Sequence, residues 1–163
     1  AALFIMRKLA PLMARLAPTV RLTLVGRNPT ATMKSEAVRQ SNVELAANVP
    51  DPSVYLNQTS VSLCPIFSRT GIQNKVLEAL SHSVPVVTTP GVKSVFDAFG
   101  PGADDCLVAA QSAPQFASAL VSLINNQTRR EAMGKAGRAY VTRVFDWTDA
   151  TRRILEPTIS QGS

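Results

Sequence analysis

The sequence predicts an α/β fold: three layers, with helices on both faces of a mostly parallel sheet of about five strands. Three observations carry that prediction. Residues 61–91, VSLCPIFSRTGIQNKVLEALSHSVPVVTTPG, read as strand, loop, helix and strand, which is a βαβ unit and demands parallel pairing. Further short β-branched or apolar runs, at 20–25, 43–46 and 107–109, alternate with segments of helical period. Finally, hydrophobic residues make up 45% and charged residues 17% of 163 residues, a composition and length that suit one α/β domain with a real core. The whole of 1–163 is therefore read as a single Rossmann-like domain, without repeat or low-complexity tract.

Each element can be justified in turn. Residues 3–16 have helical spacing, with Leu3, Met6, Leu9, Met13 and Leu16 available for one face. Pro11 inside that run predicts a kink. VRLTLV at 20–25 is a strand, and Gly26-Arg27-Asn28-Pro29 turns away from its C-terminal end, with Gly26 suited to a tight βα turn. A short helix is expected over 32–40, a strand over 43–46, and a helix over 53–57 that Asp51 is placed to cap. The strand at 61–64 breaks at Pro65. Thr70 with Gln73 fits a capping box, so a helix is expected over 72–82, with Ile72, Val76, Ala79 and Leu80 as its apolar stripe. The next strand, 85–87, is closed by Pro90-Gly91, and a helix follows over 93–99. After the 107–109 strand come helices over 115–124, entered near Ser112, and over 129–144. Phe145 and Trp147 read as packing residues, 151–155 as further helix, and the tail 157–163 as disordered.

Composition excludes several function classes. No run reaches the length of a membrane span, and the opening AALFIMRKLAPLMARL carries its charges inside the apolar segment, unlike a signal peptide. The formal charge is +6 and the isoelectric point about 9.9. Arg7, Lys8, Arg15, Arg21, Arg27 and Lys34 all precede the first acid, Glu36. Such a bias suits an anionic nucleotide or the surface of an anionic membrane, and solubility alone also accounts for it. No nucleic-acid motif accompanies it, and aromatic residues are scarce. Cys64 and Cys106 lack CxxC spacing and read as buried thiols of a reducing compartment, hence a cytoplasmic protein. One histidine, His82, gives no support for zinc, and there is no nucleophile elbow and no GxGxxG.

The candidate site lies in the 61–91 unit. Its helix starts just past the C-terminal end of a parallel strand, where open α/β sheets bind ligands. The backbone N–H groups of Gly71 and Ile72, the helix dipole and Lys75 would favour a phosphate there. Glu78, one turn further, could accept hydrogen bonds from sugar hydroxyls. The alternative for Lys75 and Glu78, three residues apart, is a weak solvated ion pair.

TGIQNKVLEALSHSVPVV resembles the donor-binding signature of the group 1 glycosyltransferases, glycosyltransferase family 4, which have the GT-B fold. The resemblance extends through the MGKAGRAYVTRVFDW ending and covers nearly the whole chain. It implies that Glu78 binds the ribose of a nucleotide-diphosphate sugar, with Lys75 and the helix start at Gly71 and Ile72 by the diphosphate and Thr70 among the donor contacts. It implies too that the Gly26-Arg27 turn lines the donor cleft and that the backbone near Val49 meets the base. Thr70 stands where the wider family has a further Glu, Arg69 where many relatives have Gly, and Ala47 where a Gly is usual. For Asp51, family element and helix cap remain alternatives.

Taken together, the resemblance implies the donor half of an enzyme of polysaccharide or glycoconjugate synthesis. It would use a nucleotide-diphosphate sugar as substrate and need no metal. An N-terminal half would hold the acceptor. The family's half also opens with a strand ahead of the first helix, so a sheet position is expected to stand open to homodimerisation. The competing reading is a non-catalytic Rossmann-like remnant or interaction module. The setting expected is the cytoplasm, peripheral to the inner face of the membrane.

Overall fold

The computed structural model describes residues 1–67 and 73–145. Expectations for Arg69, Thr70, Gly71, Ile72, Trp147, the 151–155 helix and the tail 157–163 fall outside the described residues. Five strands are present among the described residues: β1 (Leu22–Gly26), β2 (Val43–Ala47), β3 (Ser62–Cys64), β4 (Val86–Thr88) and β5 (Leu107–Ala109). They alternate with α1 (Ala2–Phe4), α2 (Ala10–Leu16), α3 (Ala31–Val38), α4 (Ser53–Leu56), α5 (Asn74–Ser81), α6 (Pro90–Phe99), α7 (Ala113–Ile124) and α8 (Gln127–Val144).

All pairing among these strands is parallel, as the βαβ reading requires. It forms two hydrogen-bonded groups instead of one sheet: β1 with β2, and β3–β4–β5 in that order. Leu22 is opposite Val43 and Gly26 opposite Ala47, while Cys64 aligns with Thr88 and Thr88 with Ala109. Both groups share one apolar cluster. Leu22, Leu24 and Val43 meet Leu63, Val87 and Val108 there, under Ile5, Leu9, Met13, Phe116 and Leu120. A second cluster lies on the opposite face, where Val86 and Leu107 pack with Val76, Leu80, Phe96 and Tyr140. Successive strand residues thus face opposite layers, Val86 one way and Val87 the other, which gives β4 helices on both sides.

Pro11 is accommodated without ending the first helical segment. A π-turn, Ile5–Leu9, joins α1 to α2, and Pro11 sits in the first turn of α2. The wider turn removes the clash that a proline makes with the preceding α-helical carbonyl. It also changes which residues are buried. The inward residues are Ile5, Met6, Leu9, Ala10 and Met13, a four-residue repeat, and Leu16 falls off that stripe at 59% exposure. The expected face through Leu3 and Leu16 is corrected accordingly.

Two further corrections concern helix starts. Pro90-Gly91 does not close β4; Pro90 is the first residue of α6, with Thr89 as N-cap, the position where proline's missing N–H costs nothing. The regular part of α5 starts at Asn74 with Gln73 as N-cap, two residues after the expected start. The α7 entry is as read: Ser112 and Gln115 form a reciprocal capping box.

The basic excess is partly used within the fold. Arg7 reaches Glu36 at 2.9 Å and ties the first helix to α3. Arg130 donates to the carbonyls of Leu123 and Ile124, and Arg143 to that of Pro101. Both cysteines are buried and free. No helix among the described residues is long and apolar enough to cross a membrane.

Candidate functional site

The C-terminal ends of the strands carry the expected site residues. At the end of β1 the chain turns through Gly26, Arg27 and Asn28. The expectation that Gly26 serves the tight turn is corrected: a side chain there would meet nothing within 4 Å, and the left-handed backbone is at Asn28, φ 47°. Asn48, just past β2, is also left-handed at φ 55°. Its amide donates to the Gly26 carbonyl at 2.8 Å, and its side-chain Oδ1 accepts from the Asn28 amide at 2.9 Å. Asparagine tolerates this conformation because its short amide can bond locally. Gly26, Arg27 and Val49 are thereby held in neighbouring turns at one sheet edge. Asn48 is the residue that sequence reasoning missed. Its signal was an asparagine ending a strand opposite a second asparagine-containing turn.

Asp51 stands just outside the helix it was expected to cap, and the N-cap position itself is taken by Pro52. Its Oδ1 accepts from the Ser53 amide at 2.9 Å, and the Ser53 hydroxyl and amide together hold the carboxyl below its usual range.

Past β3 the chain runs through Pro65, Ile66 and an exposed Phe67, then enters α5 after Gln73. Val76, Ala79 and Leu80 are fully buried, fixing the helix against β3 and β4. That orientation leaves Lys75 and Glu78 exposed. Among the described residues neither makes an ion pair, with the other or with any third group. Both charges act on the Cys64 thiol at the end of β3. Burial raises its pKa, the Ser62 hydroxyl and the Lys75 charge oppose that rise, and Glu78 adds to it. His82 closes the helix with Nδ1 2.9 Å from Asn57 Oδ1, so it is a tether between α5 and the α4 end. The structure thus brings Gly26, Arg27 and Val49 together on one edge, and presents Lys75 and Glu78 on the helix that follows β3. Thr70, Gly71 and Ile72 lie outside the described residues.

Comparison with known proteins fits this architecture. Residues 1–126 match the family model described as glycosyl transferases group 1. A capsular polysaccharide biosynthesis glycosyltransferase, CapM of Staphylococcus aureus, is 30% identical over 131 residues, 77% of this chain and 34% of CapM. Among solved structures, Anabaena HepE in complex with UDP superposes with a TM-score of 0.75 at 14% identity, over 91% of this chain and 43% of its own. The C-terminal domain of the group 1 glycosyl transferase LpcC from Francisella tularensis gives a TM-score of 0.68 at 17% identity, over 88% of this chain and 78% of that domain. The chain therefore spans about a third of the curated relative it matches, at 34%, and folds like one half of longer enzymes. A family match that runs through both strand groups and covers most of the chain, on a parallel α/β fold, leads to one conclusion: this chain belongs to the group 1 glycosyltransferases.

Proposed function

We propose that this chain is the donor-binding half of a glycosyltransferase that moves a sugar from a nucleotide-diphosphate sugar to an acceptor hydroxyl in polysaccharide or glycoconjugate synthesis. One observation carries the reading: Lys75 and Glu78 stand exposed on the helix after β3 and, among the described residues, without ion-pair partners. A surface pair whose only role was mutual attraction would be expected to be paired. UDP is the ligand of the HepE structure, which supports a nucleotide as the partner here.

In this reading Lys75 neutralises charge that builds on the diphosphate as the bond from the sugar's anomeric carbon to the phosphate oxygen breaks. The acceptor oxygen forms the new bond to that carbon and passes its proton to a base of the N-terminal half, while the nucleoside diphosphate leaves with the electron pair of the broken bond. Glu78 accepts hydrogen bonds from ribose hydroxyls, and the turns at Arg27 and Val49 flank the base. Thr70, Gly71 and Ile72 complete the list of proposed donor contacts on sequence alone. The acceptor and the groups around it belong to an N-terminal half. We assign the protein to the cytoplasm, touching the inner face of the membrane through its basic surface. Residues 1–163 act as one nucleotide-sugar-binding domain.

Calorimetric titration with UDP and GDP tests the proposal. Binding of one of them is expected, weakened about tenfold or more by Lys75→Ala or Glu78→Ala through loss of a charge-assisted bond. Negligible heats for every protein and both nucleotides would overturn it and leave the interaction-module reading.

A further inference from the structure

We infer that Thr89 is a positioning residue for the donor site: its hydroxyl fixes the chain leaving β3, at the cost of capping its own helix. This deepens the proposed function and rests on it. The β3–β4 ladder ends at the Cys64–Thr88 pair. Beyond it, buried Pro65 has no N–H to give, so the ladder cannot continue from that residue. Two consecutive threonines of the neighbouring strand end take over. Thr88 Oγ1 donates to the Cys64 carbonyl at 2.8 Å, and Thr89 Oγ1 donates to the Ile66 carbonyl at 2.5 Å. Both carbonyls therefore face the β4 side, and the exit path is held beside that strand end as far as Ile66. Ile66 in turn packs against the apolar cluster that holds Val76, Ala79 and Leu80, the buried face of the helix that carries Lys75 and Glu78.

The second, independent observation is what Thr89 does not do. It is the N-cap of α6, yet its side chain makes no cap hydrogen bond. The other Ser, Thr and Asn N-caps among the described residues all make one: Thr30 to the Met33 amide, Ser112 to that of Gln115, Asn126 to that of Arg129. A hydroxyl cap ordinarily stabilises its helix. At position 89 the hydroxyl is instead turned across to the Ile66 carbonyl, inside a site only 6% exposed. A residue serving α6 alone would face the other way.

The test compares Thr89→Val, Thr89→Ser and Thr88→Val. Valine keeps the shape and removes the hydroxyl, serine restores it, and Thr88→Val removes the buried hydroxyl one residue earlier, inside the ladder. Each protein is titrated with UDP and GDP and its melting temperature recorded, with hydrogen exchange followed at the Phe67 amide. Thr89→Val is expected to bind about tenfold more weakly than the unmodified chain, with faster exchange at Phe67, and Thr89→Ser to recover both. Thr88→Val is expected to lower the melting temperature with affinity retained. Equal affinity in Thr89→Val and the unmodified chain, or equal losses in both valine variants, would overturn the positioning role alone. An unmodified chain that binds neither nucleotide would overturn the donor-site reading and this inference with it.

Discussion

Gly134 of α8 lies so close to Ser83 that a methyl group on its Cα would stand 2.0 Å from the Ser83 carbonyl oxygen. Ser83 is itself fixed. It follows α5 in a left-handed conformation, φ 59°, with its amide on the Leu80 carbonyl at 3.0 Å and the Val84 amide on that of Ala79 at 2.9 Å. This is a Schellman closure, whose left-handed position is usually glycine. The backbone cannot yield there, so the helix that bears Lys75 and Glu78 is docked through one glycine.

Gly134→Ala therefore sets a propensity gain of about 1 kcal/mol against overpacking of backbone on backbone. The second is expected to win, with a net loss of about 2 kcal/mol. Gly137→Ala meets the Leu80 methyl at 2.7 Å, a side-chain end that can move, and should lose less. Ser83→Gly relieves the left-handed strain and should gain about 0.5 kcal/mol. Chemical denaturation of the three variants checks this order.

Lys93 bridges Asp97 at 2.9 Å and Asp104 at 2.7 Å, linking α6 to the short helical turn Ala103–Asp105. Asp104 first and Asp97 second raise its pKa above the ordinary 10.5. A raised lysine stabilises fully below its unfolded value, and that contribution disappears as pH climbs through the folded one. Lys93→Met should thus lose about 1 kcal/mol at neutral pH, with the gap to the unmodified chain closing only above about pH 10.5. Urea unfolding from pH 7 to 11 measures it.

Burial pushes the Cys106 thiol up to about 12 and raises that of Cys64 as well. Since the thiolate is the reactive form, neither cysteine should label with iodoacetamide at pH 8 in the folded chain, and both should label in urea. Mass spectrometry of the two samples decides it. Labelling of Cys106 in the native sample would contradict the burial.

The edge of β1 away from β2 is unpaired among the described residues. Leu22 gives its amide to Asn42, on the β2 side, so by alternation the Thr23 amide faces the open edge. Homodimerisation through that edge should show in sedimentation at micromolar concentration. Thr23→Pro should shift the chain to monomer while leaving the β1–β2 ladder intact. A monomeric unmodified chain would end that expectation.

The sequence made the five strands and α7 legible because β-branched runs and a capping box are local signals. The division of the sheet was not legible, since it depends on which strands meet. Pro90-Gly91 was misread because the pair serves equally as a turn or as a helix entry, and only Thr89's extended backbone decides. Lys75 and Glu78 were legible as an exposed helix face from their spacing against Val76, Ala79 and Leu80. Asn48 was not, because its partner is the Asn28 amide twenty residues away, a contact that exists only once β1 and β2 pair. The helical face through Leu16 failed for a register reason, the π-turn having changed the repeat.

That π-turn also sets the aim of everything before it. One residue added to a helical turn rotates the preceding residues by roughly 100°. Phe4 lies in that rotated part, and its ring meets Phe67 at 5.1 Å and Phe116 at 5.7 Å. Deleting a single residue between 5 and 9 would restore the ordinary phase, swing Phe4 away, and uncover the aromatic support beneath the chain leaving β3. What this helix lends to the chain leaving β3 is thus a matter of counting, one residue in or out, more than of which apolar side chains it carries.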